Sequence, residues 1–359
     1  MAASPKDETQ FSAQLFKTRA GKLNIHDAFF DSLRADYPGF DEWFLSHPDR
    51  ICYVQFKEDE KIDGLLILKE EEGPIKDIEP SLEVAKAVKI CTFKINPHNT
   101  KLGQRFVRLI IKTMLNSHAE CAYCTTFEKQ EALIKLLEHY GFEKHGEKAD
   151  TRESAYVKSL VNVKGDFYKD YPKINMAAAS FYSLSIKPEY HTQMFPDSIL
   201  HTEKPDIIED LPRTNAIQKV YICSMRGVEQ LRKGDILFIR RSQPSAYTTA
   251  PAKYTSCITS VCTVEEVKRA SDFETLEKLY EYTSPYNLFR IEEVQRYYND
   301  RSYAIKMIYN FPIKKPVLNA TVQTILGHAP EYWGFFGLNV NHANQILQEG
   351  QVYEGFIIH

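Results

Sequence analysis

The sequence predicts two domains in series, an α/β unit followed by an α+β unit, and three observations carry that prediction. The chain has 359 residues, about twice the size of a common single domain. Between residues 51 and 161, strand-like runs alternate with two segments of helical periodicity. Beyond residue 164 the texture changes to short β-rich runs set among Tyr, Thr, Ser and Pro.

Composition limits the function classes. With 43% hydrophobic and 26% charged residues and a net charge of −3, the chain is neither disordered nor fibrous, and it is not a uniformly basic nucleic-acid coat. No window approaches the ~18 apolar residues of a membrane span. Residues 1–22 lack the hydrophobic run of a signal peptide. A cytoplasmic protein without a membrane partner is expected; the oligomeric state is left open. Seven cysteines, an odd number spread along the chain, suit free thiols better than a disulfide framework.

Residues 1–22 are polar and aperiodic and read as a loose tail. Two helical stretches follow at 28–37 and 39–46. Residues 51–57 and 64–69 form a hairpin across the acidic turn Glu58-Asp59-Glu60, and 70–86 is a charged connection. Residues 87–95 read as a strand ended by Asn96-Pro97-His98-Asn99, a turn no helix crosses. Leu102, Phe106, Leu109, Ile110 and Met114 recur at helical spacing. A strand at 121–126, a helix with the stripe Leu133, Leu136, Leu137 and Tyr140 stopped by Gly141, and a strand at 154–161 complete this unit. In the second half, strands are expected at 182–186, 219–223, 235–240, 254–262 and 303–311, with helices at 264–282, 291–298 and 340–347.

The first chemical signal is the segment 95–115. A strand, a short polar loop and Gly103 at a helix start leave several backbone N–H groups pointing one way, an arrangement that binds phosphate. Lys101, Arg105 and Arg108 add positive charge beside it. Taken alone, one glycine and three cations also fit an ordinary surface helix.

The order of elements over residues 24–161 resembles the GCN5-related N-acetyltransferase (GNAT) family. The Pro97 to Gly103 spacing and the ending Gly141-Phe142 with Gly146 carry the likeness. The resemblance implies a GNAT-like mixed sheet with flanking helices, acetyl-CoA as cofactor, and cofactor contacts from Phe93, Ile95, Lys101, Leu102, Gly103, Gln104 and Arg105. Backbone N–H groups around 93–95 would meet the thioester carbonyl. The chain departs from the family pattern at Thr100 and Arg105 in the loop, and at Leu137, where many members carry a tyrosine acid. Tyr140 and Tyr123 are the nearest phenols and the expected proton donors; His98 is a weaker candidate and no general base stands out.

Cys121 and Cys124 have the spacing of half a zinc site, but no second C-x-x-C exists. On a strand, positions three apart face opposite ways, so core thiols and no metal are expected.

The second signal lies at 211–253, where eight Lys or Arg oppose only Glu229 and Asp235. Arg232, Lys233, Arg240 and Arg241 are the candidate phosphate contacts, with Tyr254 as a stacking ring; a solvated edge strand is the competing reading. The run from Lys233-Gly234-Asp235 into an apolar strand resembles the PUA-like group, which includes ASCH and EVE modules. That resemblance implies a PUA-like β-barrel with helices that binds RNA or a modified nucleotide. Tyr247, Tyr286, Phe289, Trp333 and Ser242 are further pocket candidates.

The expected organisation is therefore a tail at 1–22, a GNAT-like domain at 23–163, a linker at 164–177 and a PUA-like domain at 178–359. The leading functional expectation is an N-acetyltransferase brought to RNA or a nucleotide-bearing substrate by its second domain. The alternatives are a non-catalytic acyl-CoA- and nucleic-acid-binding protein, and a first domain that serves only as a protein-interaction platform.

Overall fold

Among the residues described by the computed structural model, 15–57, 60–96, 101–198, 216–243, 251–285 and 289–359, the chain divides into two units whose boundary falls between Lys164 and Gly165. The first contains strands β1 (Leu15–Arg19), β2 (Ile51–Phe56), β3 (Ile62–Glu72), β4 (Ile78–Glu79), β5 (Lys86–Ile95), β6 (Cys121–Thr126), β7 (Glu143–Lys148) and β8 (Ser154–Ser159). Its helices are α1 (Asp31–Asp36), α2 (Phe40–Leu45), α3 (Leu102–Asn116) and α4 (Glu131–His139). One sheet runs in the order β1-β2-β3-β5-β6-β8-β7-β4. Every neighbouring pair is antiparallel except β5 with β6.

The apolar stripe of α3 dictates its place. Leu102, Phe106, Ile110 and Met114 are buried, and the helix packs on β3, β5 and β6. Phe29, Phe30, Phe40 and Phe44 cover Cys52, Val54, Leu65 and Ile67. Helix α4 ends as its glycine requires: Gly141 has φ +83°, its N–H reaches Glu138 O, and the Phe142 N–H reaches Leu137 O. These are the two bonds of a Schellman motif, which pairs the side chains of Leu137 and Phe142; both are buried.

Residues 15–22 do not belong to a loose tail, because β1 pairs with β2 from Leu15↔Gln55 to Arg19↔Ile51. Residues 1–14 lie outside the described residues. The sequence also passes over β4 and β7, whose polar runs carry little β signature.

The second unit contains β9 (Ile174–Asn175), β10 (Phe181–Ile186), β11 (Gln218–Cys223), β12 (Ile236–Arg241), β13 (Cys257–Arg269), β14 (Tyr303–Leu318), β15 (Phe335–Leu338) and β16 (Ile357–Ile358). Its helices are α5 (Pro188–Met194), α6 (Ala252–Thr255), α7 (Leu276–Thr283), α8 (Ile291–Tyr297), α9 (Asn319–Leu326) and α10 (Val340–Glu349). Six strands form a mixed sheet, β11-β14-β13-β12-β10-β15, parallel only at β10–β12. The sheet is open. The expected barrel is not found among the described residues, because β11 and β15 stand at opposite ends without pairing.

Two further expectations are corrected. Residues 264–269, expected in a helix, continue β13, since Val264↔Met307 and Val267↔Ile305 bind that run along β14. The segment expected as a linker is built into the second unit: Ile174 and Met176 are in its core and β9 pairs with β16. Asn310 holds this segment. Its Nδ2 donates to Pro172 O (3.2 Å) and Lys173 O (3.1 Å), and its Oδ1 accepts from Thr263 Oγ1 (2.9 Å).

Asn310→Ala leaves these buried partners unsatisfied and should lower unfolding free energy by about 2–4 kcal/mol. Urea unfolding checks it; a loss under about 0.5 kcal/mol would show the segment to be held by its apolar residues alone.

Candidate functional site

In the first unit, β5 and β6 start as a parallel ladder and then part. They pair from Ala87↔Cys121 to Ile90↔Cys124 and no further. Opposite β3, the register jumps from Ile67↔Thr92 to Leu68↔Ile90, so Cys91 is an extra, bulged residue. Beyond this point β5 stays with β3 to Ile95↔Gly64, while β6 stays with β8 to Thr126↔Ser154. The facing edges of residues 91–95 and 125–126 therefore lack ladder partners. A bulge bends its strand and ends local pairing, and here it opens a fork.

Helix α1 bridges the fork. On the β5 side, Lys94 Nζ donates to Phe29 O and Ser32 Oγ. On the β6 side, Asp36 accepts from Lys129 Nζ and Gln130 Nε2, both at 2.6 Å. Tyr37 follows α1 directly, where Pro38 disfavours a helical backbone; its φ of −128° and ψ of 91° turn the chain. Its ring lies 5.3 Å from that of Phe127, and its phenol faces the Thr126 hydroxyl. Burial first, then the Glu153 carboxylate, push this phenol up to about 12. Glu153 is itself buried and accepts from Thr151 Oγ1 at 2.6 Å. The Tyr37 phenol thus stands at the end of β6, beside the Thr126 hydroxyl and within the field of the Glu153 carboxylate.

The expected cofactor residues separate into two sets. Lys101, Gly103 and Gln104 lie at the start of α3, where backbone N–H groups are unbonded within the helix. Phe93 and Ile95 lie on β5 within the fork, the Phe93 ring 5.3 Å from Phe106. Leu102 and Arg105 turn inward: Leu102 fills the space over Gly64, and buried Arg105 donates Nη1 to Gln55 Oε1 at 3.1 Å. Gly103 has a packing reason of its own, since a Cβ there would come within 2.9 Å of Leu136 Cδ2. Pro97, His98, Asn99 and Thr100 lie outside the described residues.

Neither expected proton donor is in the fork. Tyr123 pairs with Lys89 in the closed part of the ladder. Its phenol donates to Glu71, and burial with that carboxylate raises its pKa strongly. Tyr140 is buried at the end of α4, its carbonyl accepting from Lys158 Nζ at 2.7 Å. Leu137, expected to depart from the resembled family's tyrosine, is the buried Schellman position described above. Cys121 and Cys124 are free and buried, with burial raising them to about 11 and about 12.

In the second unit, the expected basic surface is partly interior. Strand β12 lies between β13 and β10 rather than at an edge, and Arg240 and Arg241 are buried. Arg240 donates Nε to Asn319 Oδ1 (2.9 Å) and Nη1 to Ser185 Oγ (2.8 Å) and Trp333 O (3.3 Å). Arg232 donates Nη1 to Glu229 O and Leu231 O, and Lys233 sits 5.4 Å from the Phe167 ring centroid. Tyr254 is exposed, with Lys253 Nζ 5.7 Å from its ring. Tyr247 and Tyr286 lie outside the described residues; Phe289 packs in the core.

A buried polar chain missed by the sequence runs through this unit. His191 Nε2 meets Thr259 Oγ1 at 2.6 Å, Thr259 meets Ser260 at 3.4 Å, Ser260 meets Ser198 at 2.7 Å, and Ser198 meets the Tyr309 phenol at 3.3 Å. Burial, then Arg241, lower the His191 pKa from 6.5 to about 3. The folded state thus holds this imidazole neutral, and unfolding takes up a proton below pH 6.5. Its contribution is complete above the unfolded value and falls as pH drops toward 3, by up to ~1.4 kcal/mol per pH unit. His191→Gln should flatten the acid limb of stability between about pH 6 and pH 4. Parallel unfolding curves for the two proteins would mean that His191 titrates normally.

No protein-family model matches the chain, and no curated protein matches it. Among solved structures, the chain is similar to ASCH from Zymomonas mobilis, with 11% identity and a TM-score of 0.32 over 47% of this chain and 94% of that one. It is similar to a putative acyl-CoA N-acyltransferase from Klebsiella pneumoniae, with 15% identity and a TM-score of 0.28 over 41% and 97%. A GNAT-family acetyltransferase from Staphylococcus aureus gives 12% identity and a TM-score of 0.31 over 41% and 99%. Among the described residues, no helix is long and apolar enough to cross a membrane, and no cluster of His, Cys, Asp and Glu could hold a metal ion.

Proposed function

We propose that the first unit transfers an acyl group from acetyl-CoA to an amine, and that the second unit brings that amine in on RNA or another nucleotide-bearing substrate. The parting of β5 from β6 after Ile90 and Cys124 carries the first half of this reading. It supplies a slot with unladdered backbone on both sides, and an acyl thioester fits it because amide N–H groups can meet its carbonyl where charge develops. The start of α3, with Lys101, suits the diphosphate. Bound there, acetyl-CoA supplies the activated acyl group; the chain positions it, excludes water and handles the protons. Tyr37 takes the role of proton donor toward sulfur, because its phenol keeps its proton at neutral pH and stands at the fork, whereas Tyr123 is committed to Glu71.

A non-catalytic reading, in which the fork binds acyl-CoA without turnover, is favoured by the burial of Leu137 in place of a phenol. Calorimetry of the full chain with acetyl-CoA, followed by thiol release in the presence of mixed primary amines, separates the two. Saturable binding with turnover is expected. Tyr37→Phe should lower turnover by about 10²-fold at nearly unchanged affinity, while Tyr123→Phe stays within about threefold. Absence of binding at millimolar acetyl-CoA overturns the acyltransferase reading.

For the second unit, the exposed cations of the basic stretch among the described residues are what can meet a strand: Arg226, Arg232, Lys233 and Lys253, with Tyr254 as the stacking ring. Filter binding of single-stranded RNA to the full chain should weaken with salt, at a slope of roughly −0.7 per phosphate contact, about −3 in all. Tyr254→Ala should cost about 1–3 kcal/mol of that binding. A lack of binding at micromolar protein and low salt removes RNA from the reading and leaves a small nucleotide-bearing substrate.

A further inference from the structure

We propose that the Arg240 end of the second unit's sheet is a binding pocket for a single oxyanion, the phosphate or carboxylate of a small ligand, walled on one side by the Trp333 indole. The inference concerns a buried cluster rather than the accessible surface discussed above, and it holds for either outcome of the RNA experiment. Arg240 is 5% exposed, and all its hydrogen-bond partners are neutral: Asn319 Oδ1, Ser185 Oγ and Trp333 O. The guanidinium carbon stands 4.8 Å from the Trp333 ring centroid.

No carboxylate answers this charge among the described residues. Burial lowers the Arg240 pKa to about 10, and the Cys257 thiol is the sole group acting in the opposite direction. Elsewhere in the same unit, partly buried Lys306 is paired with Glu265 at 3.0 Å. A buried cation without an anion is unfavourable, and a ligand can supply the missing charge.

A second observation points the same way. Ser256 Oγ is fully buried and has no hydrogen-bond partner among the described residues. The Ser256 carbonyl accepts the Asn319 N–H at 2.9 Å, which puts the orphan hydroxyl beside the residue that Arg240 contacts. Neither Arg240 Nη2 nor Asn319 Nδ2 is engaged by the bonds of their side chains. The cluster is therefore rich in N–H and O–H donors, poor in acceptors and positive. That selects an oxyanion and excludes a cation. Its interior position on β12 also suits one anionic group better than a polyanionic strand.

The chain has two tryptophans, Trp43 and Trp333, so Trp43→Phe in the full chain makes Trp333 the sole indole reporter. Inorganic phosphate and acetate are titrated separately against chloride at constant ionic strength, with emission and Tm as readouts. The expected result is a saturable emission change and a rise in Tm with at least one anion, the stronger responder identifying the ligand's oxyanion. Arg240→Met should abolish the response and raise the Tm without ligand, because it removes an uncompensated buried charge. Should that variant fail to fold, Ser256→Ala provides the check, with about a fivefold or greater loss of anion affinity. A response to neither anion beyond that to chloride overturns the proposal, as does an undiminished response in Arg240→Met or Ser256→Ala. RNA binding is read separately by filter assay, so a negative result there leaves the titration interpretable.

Discussion

The parting of two parallel strands governs the first unit. Parallel β5 and β6 are joined through α3, and a parallel ladder permits both strands to deliver their ends to the same side of the sheet. Because Cys91 is bulged, the ladder stops while both strands remain held by their outer neighbours. The backbone between them is left to something other than the sheet. Helix α1 spans the opening through Lys94 on one side and through Asp36 and Tyr37 on the other. Tyr37 and Asp36 are therefore placed by the same links that hold the bridge.

The cations of this protein divide by depth, and that division changes what they do. Lys158 is almost wholly buried, yet it is spent on the last turn of α4, where a positive charge favours the helix end. Arg105 is drawn to Gln55 inside the first unit. Arg240 has neutral hydrogen-bond partners, and no carboxylate among the described residues answers its charge. Net charge along a sequence window cannot separate these cases. The positive stretch at 211–253 mixes buried Lys219, Arg240 and Arg241 with residues at the surface.

Local patterning made much of the scaffold legible. The hairpin of β2 and β3, the stripe of α3 and the glycine stop of α4 each follow from residues within a few positions of one another. The bulge at Cys91 was not legible, because it exists only as a register difference against β3. Tyr37 was missed for a similar reason: its partners are Thr126, Phe127 and Glu153, about ninety residues and more away in sequence. In the second unit, the Val-rich run through Val264 and Val267 has helix-compatible spacing, and its pairing with β14 decides the matter. The order of elements around the fork could thus be anticipated, while the fork itself and the groups at its end depended on contacts between distant segments.

The ends of the two large sheets have a consequence for how this β-rich chain behaves among its own copies. In the first, β1 carries Lys17 and Arg19 along its run and β4 has only two residues. In the second, β15 has four residues and β11 is buried along its whole length, next to α8. Charge, brevity and cover are the devices that deny a free sheet margin to an incoming extended peptide. Growth by strand addition, the first step toward fibrils, therefore meets a blunted border at each of these four ends.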